Sequence, residues 1–125
     1  MIDRTFKLLF DDLEIGTVHL KNAEFPGYGG SFAPSAAADD REMRERIGKY
    51  IEYSREVTRL MELDDEPGGA WDQFQSQHES EFLDLINSDQ WWLMDETGQR
   101  QAILVPVFFV DGITWRNTSR KSRFQ

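Results

Sequence analysis

Hydrophobic positions change their period twice along this chain, from two residues to about four and back to two. Phe6, Leu8 and Phe10 alternate with Thr5, Lys7 and Leu9, and beyond Asp11-Asp12 the residues Val18 and Leu20 alternate with Thr17 and His19. Period two predicts strands, and the short polar break between them predicts a hairpin. The next stretch, Phe25-Pro26-Gly27-Tyr28-Gly29-Gly30-Ser31-Phe32-Ala33-Pro34, is so dense in Gly and Pro that it predicts a linker with one edge strand around Tyr28 and Ala33.

From Asp39 the spacing changes. Asp39 and Glu42 form a capping-box pattern, and Met43, Ile47, Tyr50, Ile51, Val57, Leu60 and Met61 then fall on one helical stripe. A helix over 39–63 is predicted, with Glu42/Arg46 and Glu45/Lys49 paired four apart on its wet side. Pro67-Gly68-Gly69 ends it, and a second helix over 70–87 carries Trp71, Phe74, His78, Phe82, Leu85 and Ile86 on its inner stripe.

Period two returns over 90–116 in three consecutive strands. Trp91 to Met94 leads into the turn Asp95-Glu96-Thr97-Gly98-Gln99, with Gly98 available for a positive φ. Residues 100–110 are β-branched and aromatic, Asp111-Gly112 is a strong hairpin signal, and Ile113 starts the return. Pro106 cannot donate to a ladder, so a bulge or edge is expected there. Alternation places Leu104 and Phe108 on one face and Ile103, Val105, Val107 and Phe109 on the other, and it sends Trp91 and Trp92 to opposite faces. The order β-β-(β)-α-α-β-β-β predicts an α+β fold, an antiparallel sheet of five to six strands with a two-helix hairpin packed on one face.

Composition narrows the function more than the fold. At 125 residues and 39% hydrophobic content the chain can build one continuous core, so residues 1–116 are expected to form a single domain and 117–125 a flexible basic tail. Cys is absent, which removes disulfides and thiolate metal sites. Met1-Ile2-Asp3-Arg4 lacks the order of a signal peptide and no apolar run approaches spanning length, so a cytoplasmic protein with no membrane role is expected. A net charge of −9 repels phosphate backbones, and nucleic acid is not an expected partner.

No stretch carries a complete catalytic pattern. His78-Glu79-Ser80-Glu81-Phe82 begins like a zinc-protease helix, but Phe82 stands where the second His belongs. Asp64-Asp65-Glu66-Pro67-Gly68-Gly69 lacks the alternating ligands and closing Glu of a calcium loop. Gly27-Tyr28-Gly29-Gly30-Ser31 lacks the Lys that completes a phosphate loop, and its glycines are expected to allow close backbone approach in a tight turn. No catalytic residue, metal ligand or cofactor is assigned.

Between Pro67 and Asp89 there is neither Lys nor Arg. That segment could present Asp72, Glu79, Glu81 and Asp84 to a basic protein partner. The first expectation is therefore a non-enzymatic protein-binding domain, regulatory or of immunity or antitoxin type. The second is a small-ligand-binding or hydrolytic domain with a pocket between sheet and helices, lined by Tyr28, Phe32, Tyr50, Trp92 and Trp115. Apolar residues on both faces of the C-terminal strands also suggest a homodimer.

Overall fold

The computed structural model describes residues 4–22, 28–35, 41–63, 66, 68–110 and 112–117. Its elements are β1 (Thr5–Phe10), β2 (Leu13–Asn22), β3 (Tyr28–Pro34), α1 (Arg41–Leu63), α2 (Ala70–His78), a 3-10 turn (Glu79–Phe82), α3 (Leu83–Ile86), β4 (Trp91–Met94), β5 (Arg100–Ala102), β6 (Val107–Phe108) and β7 (Ile113–Trp115). The strands form one seven-stranded sheet in the order β5-β4-β1-β2-β3-β7-β6, antiparallel throughout. The fold is α+β, with the helices packed on the sheet.

Strand β2 bends this sheet. Leu8 stands opposite Gly16 but Leu9 opposite Glu14, which leaves Ile15 as an extra residue, and a second register shift follows between Leu20 and Asn22. Each bulge sharpens the local twist, so a ten-residue strand curls with its neighbours. Strand β3 is then held inside the sheet, between β2 and β7. This corrects the expectation of a linker with an edge strand. Its glycines are what allow the position, because a Cβ on Gly30 would stand 1.9 Å from the His19 carbonyl oxygen.

The predicted strand over 100–110 divides in two around Pro106. Ile103 donates its N–H to the Trp91 carbonyl on the β4 side, while Leu104 donates to Arg116 on the β7 side and Ile103 bridges Asn117. The two ends of the sheet therefore meet. Ile103 faces Asn117 and Val107 faces Thr114, so four steps on one strand match three on the other. The expected bulge is there, and it reverses the facing of everything beyond it. Ile103 and Phe108 are both in the core while Leu104 and Val107 are exposed, which corrects the simple alternation.

The core joins Leu8, Val18, Leu20, Leu93, Ile103, Phe108, Ile113 and Trp115 of the strands to Ile47, Tyr50 and Ile51 of α1 and to Phe82 and Leu85. Trp91 is fully buried and donates its indole N–H to the Leu85 carbonyl at 2.9 Å. Trp92 points outward, as alternation predicts, and is half-buried with the Arg100 guanidinium 6.0 Å from its ring.

Both helices differ from expectation in their seating. Along α1 the buried residues are Ile47, Tyr50, Ile51, Ser54 and Thr58, while Met61 is exposed. The stripe follows two hydroxyl residues instead of Val57, Leu60 and Met61. The predicted single helix over 70–87 is three pieces, and α2 itself buries no residue fully. Asp39, Asp64, Asp65, Pro67 and the tail beyond Asn117 lie outside the described residues.

Candidate functional site

The segment after α1 is seated by aromatic contacts and carries carboxylates that are half-buried at Asp72 and Glu79 and exposed at Glu81 and Asp84. At its start, Asp72 accepts the Gly68 N–H at 3.0 Å, Gln73 donates to the Gly68 carbonyl, and the Trp71 indole donates to the Glu66 carbonyl. Gly68 has φ +83°, a left-handed conformation that a side chain would strain. These bonds tie the turn to α2 although Gly69, its N-cap residue, offers no side chain. Phe74 then stacks on Tyr53 of α1, with ring centroids 5.9 Å apart, and lies tilted against His78 at 4.5 Å.

A tighter turn follows. At the end of the 3-10 turn Glu79–Phe82, Phe82 enters the core against Tyr50 and Tyr53. Leu85 follows it inward. Glu81 and Asp84 therefore point to solvent, with side chains 60% and 68% exposed.

Two side chains meet these carboxylates. Arg46 of α1 pairs with Asp84 and donates to the Glu81 carbonyl at 3.1 Å, and His78 Nδ1 lies 3.4 Å from Glu81 Oε2. Arg46 thus reaches α3, whereas the sequence pattern assigned it to Glu42. Burial, and secondarily the negative charge of Glu79, holds the Tyr53 phenol above its ordinary pKa.

Asp72, Glu79, Glu81 and Asp84 all lie on this segment, each in a different local setting: the helix-opening turn, the Tyr53 ring, His78 and Arg46. The aromatic five do not converge. Tyr28 stacks on Trp115 at 5.8 Å, Phe32 and Tyr50 meet edge-on at Phe108, and Trp92 is on the outer face. Trp91, not Trp92, is the tryptophan beside Tyr50. An open depression of about 410 Å³ lies elsewhere, lined by Lys21, Gly29, Ser31, Phe109 and Thr114 among others.

What sequence reasoning missed is a polar seam on α1. Tyr50 donates to the Pro106 carbonyl at 2.8 Å, Ser54 accepts the Phe108 N–H at 2.7 Å, Thr58 Oγ1 lies 3.1 Å from the Phe108 carbonyl, and Arg55 donates to the Phe109 carbonyl at 3.0 Å. Burial holds the Tyr50 phenol well above its ordinary pKa. The signal was present: Tyr50, Ser54 and Thr58 follow at four-residue intervals and so share one face.

The chain matches no family model, no curated protein and no solved structure. Among the described residues, no group of three or more His, Asp or Glu side chains is placed to hold a metal ion. No described helix is long and apolar enough to cross a membrane.

Proposed function

We propose that this chain is a non-enzymatic protein-binding domain that meets a basic protein partner through the carboxylates of residues 67–89, with an immunity or antitoxin-type inhibitor as its most concrete form. One observation carries the reading: Phe82 and Leu85 are buried while Glu81 and Asp84 stay on the surface of a segment free of Lys and Arg. Such a face attracts a basic partner at long range and rejects acidic competitors. Because the charges are exposed, the attraction weakens as salt rises.

Capture from a native lysate, at low and high salt, tests it with the wild-type chain beside Glu79→Lys/Glu81→Lys. A Lys- and Arg-rich partner should be retained at low salt and reduced at high salt, and the variant should lose it without a change in unfolding midpoint. Recovery of no specific partner at either salt, or equal capture by the variant, would overturn the proposal.

A small-ligand-binding domain is a second reading, favoured by the open depression of about 410 Å³ beside Phe109. Ligand-induced NMR shifts clustered at Ser31 and Thr114 would support it; their absence across a fragment library would dismiss it.

A further inference from the structure

Strand β6 borders β7 on one side and a helix on the other. On the β7 side Phe109 donates to the Gly112 carbonyl, and Val107 and Phe108 stand opposite Thr114 and Ile113. On the far side Phe108 turns both its N–H and its carbonyl toward α1. There a single hydroxyl, Ser54 Oγ, accepts the N–H at 2.7 Å and lies 3.3 Å from the carbonyl, with Thr58 Oγ1 at 3.1 Å from the same oxygen. Donor and acceptor are thus met by side chains in the places a neighbouring strand would use. Pro106 contributes no N–H to this edge, and its carbonyl goes to Tyr50.

We infer that the Ser54–Thr58 seam of α1 is an edge guard, which keeps the Pro106–Phe109 edge from accepting the same edge of a second copy of this chain. The occupant follows from the sequence. Residues 102–110, Ala-Ile-Leu-Val-Pro-Val-Phe-Phe-Val, are uncharged and rich in β-branched and aromatic side chains. Val107 and Val110, at 40% and 66% exposure, already face solvent beside the covered edge. An uncovered edge of this composition pairs best with its own twin, antiparallel about Phe108, in a twofold contact. Covering an edge with a helix is one way a sheet avoids this, and here Ser54 and Thr58 meet the Phe108 groups, with Tyr50 and Arg55 on the flanking carbonyls.

The experiment compares Ser54→Ala/Thr58→Val with Ile47→Ala, which loosens α1 in the core without touching the edge. Hydrogen exchange at the Phe108 amide and sedimentation over a micromolar concentration series are read for each. In the double variant, exchange at Phe108 should accelerate about ten-fold or more, and self-association should rise above the wild-type level. Adding Val110→Lys should reverse the association, since a charge on a strand edge opposes pairing. Ile47→Ala, compared at a temperature giving equal residual stability, should stay at the wild-type level. If the double variant does not fold, Thr58→Val alone, which leaves the Ser54 contact, should give the same ordering with a smaller effect. Faster exchange at Phe108 with no rise in association, or equal association by Ile47→Ala, would overturn the inference.

Discussion

Asp95 shows how much one side chain organises where the backbone reverses. Its Oδ1 accepts from the Thr97 N–H, the Thr97 hydroxyl and the Gln99 N–H, while Gly98 takes φ +90°. The Thr97 hydroxyl above all, then the two backbone N–H groups and Arg4, holds the carboxyl below its ordinary value of 3.8. A folded value below the unfolded one means stability that is present above pH 3.8 and is lost as pH falls through the folded value. NMR titration should find Asp95 titrating below 3.8, and Asp95→Asn should flatten the acid limb of the stability curve; an unchanged limb would contradict this. Gly30 is a second such residue. Gly30→Ala must push β2 away from β3 and should cost about 1–3 kcal/mol by chemical denaturation. The Asp95 turn was legible in sequence because Asx turns are local. Gly30 looked like a loop residue because its constraint comes from a strand eleven positions away in the chain.

At the scale of elements, sequence pattern located the three hairpin pairs β1–β2, β4–β5 and β6–β7 and the long helix, and it failed where two elements share polar groups. The stripe on α1 runs through Ser54 and Thr58 because β6 needs hydrogen-bond partners there, and no hydropathy pattern registers that need. The bulge before Pro106 was expected, but its effect on the facing of Val107 and Phe108 depends on one added residue that only the pairing with β7 reveals. The second helix reads as continuous because its apolar residues keep helical spacing, and the structure sets a 3-10 turn between Phe74 and Phe82, both of which pack on Tyr53 of α1. Trp91 links α3 to β4 through its indole N–H. Trp91→Phe keeps most of the ring volume but removes one buried hydrogen bond to the Leu85 carbonyl, which retains the Ser88 N–H, and should cost about 0.5–1.5 kcal/mol by urea midpoint. A loss near zero would mean that bond does not hold α3 to the sheet.

Across the whole molecule, a sheet whose ends meet at Ile103 and Asn117 encloses one face, and α1 with Phe82 and Leu85 closes the core. Trp92, on the outer face, has the Arg100 guanidinium 6.0 Å from its ring. The acidic segment was visible as a run without Lys or Arg, but its engagement with Arg46 and His78 was not, since both depend on how α2 and α3 turn against α1. Everything proposed for that segment rests on its facing: Phe82 and Leu85 buried, Glu81 and Asp84 exposed, and Asp72 and Glu79 half-exposed at its margin. Chemical denaturation of three variants tests this most directly. Phe82→Ala and Ile51→Ala, at 6% and 9% exposure, should each cost about 2–5 kcal/mol. Glu79→Lys should stay within about 0.5 kcal/mol of wild type. If Glu79→Lys instead proved as damaging as Phe82→Ala, the segment would be turned the other way, and the acidic binding face would be lost with it.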